Sequence, residues 1–133
     1  MKPFEQLPHR HPFCMLDSAE VVEEGRRAKG IKQLTANDPA VSPEGIFHSS
    51  YIMEAMAQTS GLAGWKKTGS MLAGLKNMEF FGFAMTGDTL EIESVLERNF
   101  SGLHFFTCRA SVSGKTIAKG GIILYFDDNY SGG

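Results

Sequence analysis

The sequence predicts an α+β fold in which an antiparallel sheet wraps around one long central helix. Three observations predict it. One segment, from Ser50 to about Trp65, is long enough for a helix and has apolar residues on nearly every side: Tyr51, Ile52, Met53, Ala55, Met56, Ala57, Leu62 and Ala63. A strand-turn-strand pattern precedes it, and nearly everything after it reads as strands joined by short turns. A helix that is apolar all round belongs in the middle of a protein, and a curled sheet is the element left to cover it.

The opening "FEQLPHRHPFCMLD" has two X-Pro steps, which disfavour a long helix and suit a helical turn leading into an extended piece. "SAEVVEEGRRAKGIKQLT" reads as two strands around a turn at "EEGRR", where Gly25 supplies the permissive backbone. "ANDPAVSPEG" is a loop. In the helix, Ser49 or Ser50 is placed to cap the start, while Gly61 and Gly64 permit close packing at the far end. "MLAGLKNMEFFG" is the next strand. "DTLEIESVLERNF" follows, with Leu90, Ile92 and Val95 expected on its inner face. Turns at "SG" and "SGK" separate it from "LHFFTCRASV" and "TIAKGGIILYF", so these strands are antiparallel neighbours. The tail over 127–133 is polar and expected to be loose.

A length of 133 residues fits one domain over 1–133. Apolar residues make up 42% and charged residues 21%, an ordinary globular balance. The formal net charge of -2 argues against a nucleic-acid partner. No run of about 20 apolar residues is present, so no membrane span is expected. The N-terminus lacks the apolar stretch of a secretory signal, and the expected location is the cytoplasm. Cys14 and Cys108 are too far apart to form a metal clip and are read as small buried hydrophobes in a reducing compartment. The four histidines, His9, His11, His48 and His104, show no ligand spacing, so neither a metal site nor a cofactor is expected. A lone subunit of this design has exposed strand edges. It is expected to pair with a second copy, as a homodimer or a higher assembly.

The helix carries one carboxylate, Glu54. An ionised carboxylate in apolar surroundings is costly unless paired, and such a group suits proton transfer near neutral pH. Gln58 lies one turn on, able to hold Glu54 or orient a water. The alternative is that Glu54 sits near the helix start and is simply solvated. The first amides of the helix, around Ser49, Ser50 and Tyr51, can donate to an oxygen gaining negative charge. "MEFFGFAM" and "LHFF" offer walls for an acyl chain, or plain core packing.

The stretches "LPHRHPFCMLDSAEVVEEGRRAKGIKQLTANDP", "YIMEAMAQTSG" and "MTGDTLEIESVLERNFSGLHFFTCRASVSGKTIAKGGIILYF" together resemble the 3-hydroxyacyl-[acyl-carrier-protein] dehydratases of bacterial fatty acid synthesis. The likeness runs in order along nearly the whole chain and implies the hot-dog fold. The family's Glu-Ala-x-Ala-Gln is matched at Glu54, Ala55, Met56, Ala57 and Gln58. In that family a histidine from a Gly-His-Phe-Pro-Gly loop takes the C2 proton, and the helix glutamate of the facing subunit helps the hydroxyl leave as water. Here the loop is "DPAVSPEGIFHSS", which lacks His-Phe-Pro-Gly. His48 stands where the family has a proline, and Thr86 replaces the proline of the Pro-Gly-Asp turn.

The resemblance favours a 3-hydroxyacyl-thioester dehydratase, with Glu54 in the family's catalytic position; the catalytic base is then His48 or a water, and Gln58, Ser49 and Ser50 bind substrate. Its partner is acyl carrier protein or a coenzyme A thioester. Two alternatives stand beside it. One is a thioesterase in which the helix carboxylate activates water. The other is a non-catalytic acyl- or carrier-binding subunit, paired as a heterodimer with a catalytic hot-dog protein.

Overall fold

The structure, a computed structural model, describes residues 2–3, 16–38, 41–64 and 70–126. The expected N-terminal helical turn, His9, His11, Cys14, Trp65 and the tail lie outside the described residues. The elements are β1 (Lys2–Pro3), β2 (Ser18–Glu23), β3 (Arg27–Gln33), β4 (Ile46–Phe47), α1 (Ser49–Ala63), β5 (Ser70–Phe80), β6 (Ala84–Met85), β7 (Thr89–Phe100), β8 (Leu103–Val112) and β9 (Lys115–Phe126). Seven strands form one sheet in the order β1-β2-β3-β7-β8-β9-β5, and β4 pairs with β6. Every pairing is antiparallel. This is the helix-and-wrapping-sheet architecture expected from the sequence.

Local chemistry sets the hairpins. The loops Ser101-Gly102 and Ser113-Gly114 both have positive φ throughout, at 50° and 85° and at 51° and 78°. That is the two-residue turn whose twist matches the strands it joins. It places β7, β8 and β9 side by side with no slack. The β2–β3 turn, one residue longer, has Gly25 alone at positive φ, 74°.

α1 lies on the inner face of the sheet, packed most closely against β7 and β3 and only lightly against β5. Its last two turns are wholly buried, while Ser49, Ser50 and Tyr51 are exposed, so the helix is enclosed along most of its length and open at its start. It ends at Ala63, earlier than Trp65, with Gly64 as the C-cap. A Cβ on Gly64 would sit 2.8 Å from the Phe106 ring, so the missing side chain is what lets the helix end meet β8. The core between helix and sheet includes Ile52, Met56, Leu90, Ile92, Phe106, Ile122 and Leu124. Each such side chain contributes about 1.5–3 kcal/mol on burial.

One inner-face expectation is corrected. On β7 the buried row is Leu90, Ile92 and Ser94, and Val95 faces the other side. Strict alternation carries on to Ser94, which pairs with Cys108, and the register shifts only between Leu96 and Arg98. The apolar character of Val95 yields to the strand's period of two.

β5 is an edge strand. Leu72, Leu75 and Phe80 pair with the inward residues Leu124, Ile122 and Ala118, yet they are 49%, 44% and 40% exposed. The inner face is apolar there and the helix does not cover it. Among the described residues, no helix is long and apolar enough to cross a membrane.

Candidate active site

The start of the helix is built by the pairing of β4 with β6, Ile46 to Met85 and Phe47 to Ala84. Phe47 is buried, and its extended backbone runs straight into His48, which has φ −65° and ψ 146°. His48 is therefore the N-cap, and its side chain makes no capping bond. This corrects the expectation that Ser49 or Ser50 caps the helix. An N-cap needs extended backbone, and the β4 pairing fixes that at His48, leaving both serines inside the first turn.

The His48 carbonyl accepts from the amides of Tyr51 (3.0 Å) and Ile52 (3.2 Å). Tyr51 is thus removed from the expected set of open amides. Ser49 and Ser50 remain, their amides having no intrahelical acceptor. No acidic residue lies in the first turn, so no side-chain charge within that turn offsets the positive end of the helix dipole.

Glu54 is half-buried, and Gln58, one turn further, is fully buried. Gln58 shares the helix face of Glu54 and engages a partner.

His48 is exposed, its ring 6.5 Å from that of Tyr51. Six positions along the chain separate it from Glu54, a rise of about 9 Å for helical residues. Of the expected acyl-chain walls, Phe106 is core, whereas Phe80, Phe81 and Phe83 are exposed.

Behind Glu54 the helix carries buried hydroxyls. Thr59 Oγ1 donates to the Ala55 carbonyl (2.9 Å) and Ser60 Oγ to that of Met56 (2.8 Å). Ser60 Oγ also lies 2.8 Å from Ser94 Oγ and 3.0 Å from Cys108 Sγ, and the thiol donates to Ser94 Oγ at 3.3 Å. Cys108 is buried as expected, but it joins a polar knot instead of acting as a plain hydrophobe. Burial pushes its thiol up from the ordinary 9.0, against a smaller lowering by the bonds to Ser60 and Ser94.

Two grooves, of about 440 Å³ beside Lys29, Glu93 and Arg109 and about 170 Å³ beside Arg98 and Phe105, lie on the outer face of the sheet. Neither includes Glu54, His48 or Gln58. Among the described residues no cluster of His, Cys, Asp or Glu could hold a metal ion.

The ApeP-like family model, described as ApeP dehydratase, matches residues 1–131. The chain belongs to the ApeP-like dehydratase family. This ApeP-like chain is also 34% identical over 126 residues to the 3-hydroxyacyl-[acyl-carrier-protein] dehydratase FabZ of Actinobacillus pleuropneumoniae, covering 86% of this chain and 82% of that one. Among solved structures it resembles a chain of the dehydratase heterocomplex ApeI:P from Xenorhabdus doucetiae, with TM-score 0.85, 19% identity, and coverage of 98% and 95%. It also resembles a hypothetical thioesterase protein with coenzyme A from Streptococcus pneumoniae, with TM-score 0.71, 11% identity, and coverage of 85% and 88%. The fold is the hot-dog fold that the sequence resemblance implied.

One feature of this ApeP-like chain escapes residue-by-residue reading of chemistry. Lys32 Nζ lies 2.6 Å from Asp38 and 3.6 Å from Asp17, in a setting where the Lys32 and Asp38 side chains are only 13% and 9% exposed. Both residues lie in the opening stretch that resembles the dehydratase family, and nothing in that stretch marks that their side chains meet.

Proposed function

We propose that the chain dehydrates 3-hydroxyacyl thioesters borne on acyl carrier protein, with Glu54 as the group that delivers a proton to the departing hydroxyl. A base takes the proton from C2, the C–H electrons form the C2=C3 bond, and the C3 hydroxyl leaves as water with the proton from Glu54. The open amides of Ser49 and Ser50 hold the thioester oxygen as charge gathers on it. His48 of the facing subunit is the base. Gln58 supports the site from beneath. The observation that carries this reading is the half-buried Glu54 carboxylate, one turn into an otherwise enclosed helix, in a member of a dehydratase family.

The reading needs a second subunit. The uncovered apolar inner face at β5 supports pairing with another hot-dog chain along that edge. A second copy of this chain is the partner that supplies His48, and the likeness to a chain of the ApeI:P heterocomplex supports another hot-dog protein as the alternative. The work takes place in the cytoplasm, from one domain spanning 1–133.

The test is to supply a 3-hydroxyacyl thioester of acyl carrier protein and follow the enoyl product by absorbance and mass. Enoyl product from the chain, alone or with a hot-dog partner, is the expected result. Release of free carrier thiol with no enoyl product would replace dehydration with hydrolysis. That second reading has the missing His-Phe-Pro-Gly loop and the thioesterase-like neighbour in its favour.

A further inference from the structure

We propose that Lys32 is a positioning residue, holding the helix entrance in its working geometry through Asp38. The inference rests on the reading of His48 and the first-turn amides as parts of the active site. Its structural basis is a continuous run of contacts. Lys32 Nζ meets the Asp38 carboxylate at 2.6 Å. The Asp38 backbone is held at both ends, its amide donating to Thr35 O (3.1 Å) and its carbonyl accepting from Val41 N (3.0 Å). Val41 bridges Phe47. Phe47 is the residue before His48, whose carbonyl accepts the first two bonds of the helix. From the ammonium to the N-cap, every step is a bond or a pairing.

The site of Lys32 is also a junction. Asp17, in the segment leading into β2, approaches Lys32 at 3.6 Å and accepts from the Gln33 amide at 2.6 Å. One residue further on, Leu34 exchanges backbone bonds with Asp88 and Gly87 at 2.9 Å each. The turn carrying those two residues follows β6, the partner of β4. The end of β3 and Leu34 just after it thus tie down both the pre-helix loop and the turn after β6.

Stability alone does not account for such a pair. A mostly buried ion pair loses much of its Coulomb gain to desolvation and is often no better than apolar side chains of similar size. What it does provide is direction: one ammonium and one carboxylate fit together in few ways. The loop is held by backbone turns at Ser42 and Gly45 and by Val41 packed against the core, while His48 makes no side-chain capping bond at the helix start. The ion pair adds a directional tie at the end of the loop that those contacts leave to Asp38. Small displacements of reacting groups are costly to rate.

The experiment compares the parent protein with Lys32→Met, Lys32→Arg and Asp38→Asn, all normalised to folded protein. It reads kcat and KM for enoyl formation and backbone amide exchange over residues 46–52. Lys32→Met is expected to lower kcat between about ten- and a hundredfold, with KM within about threefold, and to speed exchange over 46–52. Lys32→Arg is expected to keep most of both properties. If Lys32→Met does not fold, Asp38→Asn is read by the same criteria. Parent-like kcat per folded molecule, or parent-like exchange over 46–52, overturns the inference. A parent protein without turnover counts against the dehydration reading, and exchange then decides the role of Lys32 by itself.

Discussion

The hydroxyls of Ser60, on the helix, and Ser94, on the sheet, lie 2.8 Å apart with both residues fully buried. They join the wall behind the candidate site to the strand beneath it. Cys108 and the Met56 carbonyl complete the knot. Ser94→Ala removes one member and leaves Ser60 and Cys108 with fewer partners. A loss of about 1–2 kcal/mol is expected in urea unfolding. Because the members share partners, Ser60→Ala and Ser94→Ala together should cost less than their sum. Strict additivity would show that the knot does not act as a unit.

The raised Cys108 thiol makes a prediction about alkaline pH. The buried thiol stays protonated where the unfolded chain's thiol has begun to ionise. Its contribution to stability is therefore fully present below the ordinary 9.0 and is lost as pH climbs from there toward the folded-state value. Denaturant midpoints should fall above that pH, and fall less steeply in Cys108→Ala. Identical pH profiles for the two proteins would contradict this. The same burial should keep Cys108 from alkylating reagents until the chain unfolds, which peptide mapping can read separately from Cys14.

Glu54→Gln keeps the size of the side chain and removes its ability to give up a proton. Turnover should fall by about a hundred- to ten-thousandfold, with an unfolding midpoint close to that of the parent. Retention of parent turnover would remove Glu54 from the chemistry.

His48→Ala should fold normally, since the side chain makes no capping bond. As the base, His48 is worth a loss of comparable size, about a hundred- to ten-thousandfold. A mixed assembly of Glu54→Gln subunits and His48→Ala subunits should regain activity, because one of its two sites then receives both groups. No regain on mixing would place the two groups outside a shared intersubunit site.

Gly30 marks a close approach of helix and sheet. A Cβ there would meet Thr59 Oγ1 at 2.6 Å and Leu16 Cδ2 at 2.9 Å. Gly30→Ala should push the helix off β3 and cost about 1–3 kcal/mol, as overpacking does. A thermal midpoint equal to the parent's would mean that Thr59 yields without strain.

The sequence by itself determined the long strands, the central helix and their order, but not the short β4 and β6. Ser-Gly pairs encode their turns through φ preference, strands show their period, and an all-apolar helix demands a cover; each of these acts over a few residues. The family and Glu54 were legible in the same way, from a helix motif read in line. Tertiary structure decided what local preference cannot carry. Cross-strand register put Ser94 and not Val95 on the inner face, and the β4 pairing made His48 the cap in place of a serine. Lys32 and Asp38 meet only because a strand end and a loop fold back on each other. Whether two side chains converge depends on the path of everything between them, which no local preference carries.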